Sequence, residues 1–273
     1  MIYRVIALDL DGTLLTQQKK ILSESLTALA LARQQGIKVL IVTGRHHSAI
    51  HPFYQALQLD TPAICCNGTY VYDYLTGKTS HANPLSVDQA KSVLNMLQTF
   101  DIHGLMYADD AMYYQYPTGH VTRTQAWAST LPALQRPAFQ QVADLMRQTD
   151  ESVAIWKFAT SHANIPTLND FAGAVETQLG LACEWSWQDQ VDIAQTGNSK
   201  GKLLQQWLSE QGISMKEVVA FGDNFNDISM LEGAGLGVAM GNSADEIKAR
   251  ADLVIGDNEG PGIAEVIRTR VLA

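Results

Sequence analysis

Two aspartate-rich turns lie more than 200 residues apart, Asp9-Leu10-Asp11-Gly12-Thr13 and Gly222-Asp223-Asn224-Phe225-Asn226-Asp227, and each follows a short apolar run. The runs, Val5-Ile6-Ala7-Leu8 and Val218-Val219-Ala220-Phe221, read as buried strands. In an open α/β sheet, ligands bind beyond the carboxyl ends of the strands, so both sets of carboxylates are expected in one crevice. Clustered carboxylates repel one another unless a hard cation neutralises them. Mg²⁺ suits such a place, because it takes oxygen ligands and keeps several waters. Taken singly, either turn also reads as an aspartate N-cap starting a helix. The pair, in this order, constrains the chain far more.

Two further segments complete a set. Val39-Leu40-Ile41-Val42 leads into Thr43-Gly44-Arg45, a strand ending in a hydroxyl and a glycine. Asn198-Ser199-Lys200-Gly201 opens a helical pattern of Leu203, Leu204, Trp207 and Leu208. With these four segments the chain resembles the haloacid-dehalogenase (HAD) superfamily phosphohydrolases of the Cof type, along essentially its whole length. The superfamily's four motifs fall on Asp9/Asp11, Thr43, Lys200 and Asp223/Asp227, with no departure at any motif position. Within the Cof group the chain looks most like bacterial members that hydrolyse pyridoxal 5′-phosphate, usually alongside sugar phosphates. That likeness is an overall one, since no motif here reads a pyridine ring.

Charge and composition exclude several classes. The net charge of −9, from 19 basic and 28 acidic residues, argues against a nucleic-acid partner. An acidic protein that binds phosphate needs local positive charge, which a metal ion and Lys200 would supply. No apolar run approaches the roughly 20 residues of a membrane span. The chain enters a strand at once and carries Asp9, so no signal-peptide pattern is visible. Three cysteines, with Cys65 and Cys66 adjacent, give neither a disulfide framework nor zinc spacing. Reduced, buried cysteines and a cytoplasmic location are expected, and no obligate protein partner is evident.

The fold expected is α/β: a doubly wound, Rossmann-like parallel sheet in a HAD core, with an inserted α+β cap domain. Alternating strands and helices at both ends of the chain give the parallel core, residues 1–83 and 188–273. Ser23 is a plausible N-cap of a helix to Gln35, a helix runs through about His47–Leu57, and Pro62–Cys66 is a strand closing on an Asn67-Gly68 hairpin turn. Residues 84–187 differ, mixing helical patterns (Val87–Phe100, Ile165–Leu179) with strand-like runs (Leu105–Tyr107, Tyr113–Tyr116, Val153–Ala159). The resemblance implies the same insertion, a cap that sets substrate specificity between the second and third motifs. Only 31 positions separate Asp11 from Thr43, too few for a cap after the first motif.

The resemblance implies a phosphoric monoester hydrolase for small phosphorylated metabolites, working with Mg²⁺ through an aspartyl-phosphate. Asp9 is then the nucleophile. Asp11 protonates the leaving alkoxide and later takes a proton from the hydrolytic water. In the family the Asp11 main-chain carbonyl, with Asp9 and Asp223, holds the metal. The N–H groups of Leu10 and Gly44, the Thr43 hydroxyl, Lys200 and Asn226 bind the phosphate, and Asp227 orients metal-bound waters. Two alternatives stay open: a sugar phosphomutase using the same aspartyl-phosphate, and a non-catalytic phosphate-binding module. Asn67 lies past a strand end in the same crevice and is left open as a substrate contact. His46 and His47 read as surface residues of a first helical turn, and the seven histidines show no metal spacing. Tyr113, Tyr114, Tyr116, Arg123 and Lys157 read as packing or solvated surface. Trp127, Trp156, Trp185 and Trp187 read as cap core.

Overall fold

The computed structural model describes residues 3–117 and 119–273. The chain opens with strand β1 (Val5–Leu8), helix Ser23–Gln34 and β2 (Lys38–Ile41), followed by β3 (Ala63–Cys65), β4 (Tyr70–Asp73) and β5 (Lys78–Ser80). A second set follows: β6 (Gly104–Ala108), β7 (Met112–Tyr114), β8 (Phe139–Gln141), β9 (Ile155–Ser161), β10 (Ala182–Trp187) and β11 (Gln190–Ala194). The chain then returns to β12 (Val218–Gly222), β13 (Leu236–Ala239) and β14 (Leu253–Val254). It forms two compact units: residues up to Arg45 with Pro52–His81 and Ser199–Ala273, and His46–His51 with Ala82–Asn198.

The first unit is built on a parallel sheet in the order β14-β13-β12-β1-β2. Every residue of β1 and β12 is buried, which is why both strands read as unbroken apolar runs. One face packs Val5, Ala7 and Leu40 against Leu203, Leu204, Trp207 and Leu208 of helix Lys200–Glu210, and against Met230 and Leu231 of the next helix. Helix Ser23–Gln34 packs on β2 and on the C-terminal helix, Gly262–Val266. Strand β3 meets the parallel sheet through a bridge from Ile64 to Val42, and forms an antiparallel three-stranded sheet with β4 and β5.

Local boundaries differ from the sequence expectation for physical reasons. Ser23 is the first helical residue; Leu22 is the cap and makes no side-chain bond. The helix expected over His47–Leu57 is a 3₁₀ turn at His47–Ala49 followed by a helix at His51–Ala56. Pro52, with no N–H to donate and a restriction on the residue before it, favours a fresh start there.

The second unit is a six-stranded sheet, β10-β11-β9-β6-β7-β8, antiparallel except where β7 meets β8. Helices Val87–Thr99, Leu145–Glu151 and Ile165–Ala174 contribute to its core around Met106, Phe158, Phe171 and Ile193. The sequence closes the insertion at Trp187, but β11 pairs with β10 on one side and β9 on the other, so the compact unit continues to Asn198. His46, expected at the surface, is fully buried: its Nε2 lies 2.7 Å from the Ala108 carbonyl and its Nδ1 accepts from the Ser48 N–H. Burial holds that imidazole down at about 4. Lys157 is also buried, paired to Asp192 at 2.5 Å and 4.7 Å from the Tyr107 ring centroid. Trp156 lies in the interior and Trp185 packs on the core, whereas Trp187, beside the turn joining β10 to β11, is 68% exposed. No helix among the described residues is long and apolar enough to cross a membrane.

Candidate functional site

The first unit brings the acidic turns together because β1 and β12 are parallel neighbours, with Leu8 opposite Phe221. Asp9 follows β1 directly, and its N–H donates to the Phe221 carbonyl at 3.1 Å. The turn after it closes through the Thr13 and Leu15 N–H groups, both donating to the Leu10 carbonyl. Gly12, at φ +80°, lets this turn approach β12: a Cβ there would lie 2.2 Å from Asp223 Oδ2. The Thr13 hydroxyl donates to Asp223 Oδ1 at 2.7 Å.

Lys200 arrives from the other side. Ser199 caps its helix by accepting from the Lys202 N–H, which sets Lys200 as the first helical residue. Its ammonium is buried and donates to Asp9 Oδ1 and Asp227 Oδ1, each at 2.6 Å. The other oxygen of Asp227 accepts from the Asp223 and Asn224 N–H groups at 2.9 and 3.0 Å. Asp227 is thereby committed to holding Lys200 and the turn. Asp9 and Asp223 each retain one carboxylate oxygen with no hydrogen-bond partner among the described residues.

Carboxylate oxygens of Asp9, Asp223 and Asp227 lie within 4.8 Å of one another. Burial drives the Asp9 carboxyl well above the usual carboxylate range, against the pull of Lys200. Burial and then the Asp227 charge push Asp223 up to about 7. Burial alone would lower Lys200, but the charges of Asp227 and Asp9 outweigh it and hold the ammonium above its ordinary range. Three carboxylates and one ammonium are under-neutralised, and the donors are all oxygens. That environment fits a hard divalent cation at Asp9 and Asp223.

Asp11 stands apart. Its carboxylate receives Arg45 in bidentate fashion, at 2.5 and 2.7 Å, and Lys19 at 2.6 Å. Partial enclosure would raise this carboxyl, but Arg45 and then Lys19 outweigh it and hold it below the usual range. Thr43, Gly44 and Asn226 meet around Asn67, whose Oδ1 accepts from Asn226 Nδ2 at 3.1 Å. The sequence did not single out Arg45, Lys19 or Thr13 as site residues. Arg45 and Thr13 carried a signal, since each sits inside a motif already quoted, whereas nothing marked Lys19.

The family model described as haloacid dehalogenase-like hydrolase matches residues 6–267. The chain is 60% identical over 272 residues to pyridoxal phosphate phosphatase YbhA of Escherichia coli, covering 100% of both chains. It is 29% identical to 5-amino-6-(5-phospho-D-ribitylamino)uracil phosphatase YitU of Bacillus subtilis, over 97% of this chain and 96% of that one. A solved haloacid dehalogenase-like hydrolase from B. subtilis superposes with a TM-score of 0.86 at 26% identity, covering 98% of this chain and 99% of the other.

Proposed function

The chain belongs to the haloacid dehalogenase-like hydrolases, a phosphoric monoester hydrolase by that membership and its phosphatase relatives, and on that footing we propose that it hydrolyses small phosphorylated metabolites with Mg²⁺ through an aspartyl-phosphate. The observation that carries the chemistry is the buried Asp9–Lys200–Asp227 chain beside Asp223, at the carboxyl ends of two parallel strands. Pyridoxal 5′-phosphate is the proposed principal substrate, supported by the full-length 60% identity to an enzyme named for it, with some sugar phosphates as further substrates.

Asp9 attacks phosphorus with its uncommitted oxygen while Lys200 holds the other. The phosphorus–oxygen bond to the alcohol breaks as the aspartyl-phosphate forms, and water then returns Asp9 and releases inorganic phosphate. Leu10 and Gly44 N–H groups, the Thr43 hydroxyl, Lys200 and Asn226 bind the phosphate oxygens. Asp9, Asp223 and the Asp11 main-chain carbonyl would hold Mg²⁺, which neutralises phosphate oxygens when bound. Asp227 fixes Lys200 and the Asp223–Asn224 turn, and through that turn would set the Asp223 carboxylate toward the ion. Asp11, ionised against Arg45 and Lys19, is in the form that accepts a proton from the hydrolytic water. Donating a proton to the leaving alkoxide requires it to leave that clamp. On the family's pattern, the second unit selects among esters.

A phosphate-release assay with Mg²⁺ over pyridoxal 5′-phosphate and a panel of hexose and erythrose phosphates tests this reading. Turnover of pyridoxal 5′-phosphate with kcat/KM at least equal to the sugar phosphates is expected. A value about a hundredfold below the best sugar phosphate discards that substrate and keeps the phosphatase. Activity that needs a sugar bisphosphate and frees little phosphate identifies a mutase instead.

A further inference from the structure

Cys66, Asn67 and Gly68 form a run of three left-handed residues, with φ of +50°, +58° and +84°. Such backbone is costly for a non-glycine residue and persists only where its surroundings enforce it. Here they do. The Asn67 N–H donates to the Thr43 carbonyl at 3.0 Å and the Cys66 N–H to the Arg45 carbonyl at 3.1 Å, so the run is laced to the Thr43–Arg45 turn. Gly68 abuts the start of the Lys200 helix so closely that a Cβ would lie 2.2 Å from the Ser199 carbonyl oxygen. Two of the four motif segments therefore meet on the backbone of these residues.

The Asn67 side chain completes the arrangement. It is 4% exposed, and its Oδ1 lies over Gly44, 2.7 Å from where a Cβ at residue 44 would stand. The same oxygen accepts from Asn226 Nδ2 at 3.1 Å, while Asn226 Oδ1 is buried with no hydrogen-bond partner among the described residues. The Asn67 bond is thus what orients the Asn226 amide. With Oδ1 engaged by Asn226 and pressed on Gly44, Asn67 has its acceptor turned to the protein.

We propose that Asn67 is a positioning residue for phosphate binding, acting through Asn226 and the Gly44 turn rather than by touching substrate. The proposal rests on the reading of Gly44, Lys200 and Asn226 as phosphate-binding groups. It explains two features at once: residue 67 must tolerate left-handed backbone and carry an acceptor of this length, and residue 44 must lack a Cβ because that acceptor occupies the space.

A double-mutant cycle tests it with Asn67→Gly, Asn226→Ala and the double variant, in the full chain with Mg²⁺. Glycine keeps the left-handed backbone free of strain, so only the amide is deleted. Readouts are the inhibition constant of inorganic phosphate, kcat and KM on pyridoxal 5′-phosphate, and the melting temperature. Asn67→Gly is expected to weaken phosphate inhibition about fivefold to tenfold, the scale of one lost hydrogen bond to a binding group. In the Asn226→Ala background the same change should shift phosphate inhibition clearly less than in the wild-type background, because one of its two targets is gone. Effects that multiply in the double variant overturn the proposal and make Asn67 a direct contact, leaving the phosphate-site reading intact. Asn67→Gly indistinguishable from wild type overturns it as well. Wild-type phosphate inhibition in Asn226→Ala overturns both the proposal and the assignment of Asn226. Should the glycine variant fail to fold, the same cycle with Asn67→Ser, too short to reach Asn226, is read by the same criteria.

Discussion

Melting the protein in EDTA and in Mg²⁺ across pH 5.5 to 8 should show a metal stabilisation that grows with pH. Asp223 is raised to about 7 and Asp9 is raised beside it, by burial first and then by the Asp227 charge. An unfolded aspartate titrates near 3.9. Between about pH 4 and 7 the folded, metal-free chain therefore holds protons that the unfolded chain has released, and this site's contribution to stability falls as pH rises through that window. Mg²⁺ needs the deprotonated carboxylates, so it gains little at pH 5.5 and most at pH 8. At a hundred times its Kd, the ion adds about 2.7 kcal/mol. For a chain of this length that is a rise in Tm of about 5 °C. Buried His46 and half-buried His47, held down at about 4 and about 2 chiefly by desolvation, lose stability as pH falls through the ordinary histidine range. They do so equally with and without metal, and cancel in the difference between the two melts. Scanning fluorimetry at each pH gives that difference directly. An equal shift at pH 5.5 and pH 8, or an undiminished shift in Asp223→Asn, refutes the placement of the cation.

Two further outcomes follow from single contacts. Asp9→Asn should abolish phosphate release while the metal-free protein melts at or above the wild-type temperature at pH 8. The amide cannot form the phosphoenzyme, and it removes one of three crowded carboxylates while Lys200 keeps Asp227; residual turnover within tenfold of wild type would remove Asp9 from the nucleophile's role. Lys157→Ala should cost about 3–5 kcal/mol in urea unfolding, since it strips the buried Asp192 of its counter-charge. Replacing both partners by apolar residues should recover most of that loss, and a single-variant cost below about 1 kcal/mol would show the pair to be far better hydrated than its burial implies.

The sequence by itself determined what depends on short stretches of chain. Strands covered on both faces need continuous apolar residues, so Val5–Leu8 and Val218–Phe221 were legible as strands, and with them the turns carrying Asp9 and Asp223. Lys200 at the head of an amphipathic helix was legible for the same reason, its serine cap preceding a run of Leu203, Leu204, Trp207 and Leu208. Only the tertiary structure decided partners chosen across the fold. The sequence reads the Asp11 carboxylate as the proton-transfer group, and nothing along the chain shows that Arg45 and Lys19 hold it. A lysine in a strand reads as solvated; Lys157 is buried because β11 brings Asp192 beside it, and β11 was itself assigned to the wrong unit without knowledge of its neighbours. Asn67-Gly68 read as a hairpin turn, which it is, yet the left-handed start at Cys66 and the Asn226 bond arise from segments distant in sequence. Periodicity and capping are properties of neighbours along the chain, whereas charge pairing and enforced backbone strain belong to neighbours in space.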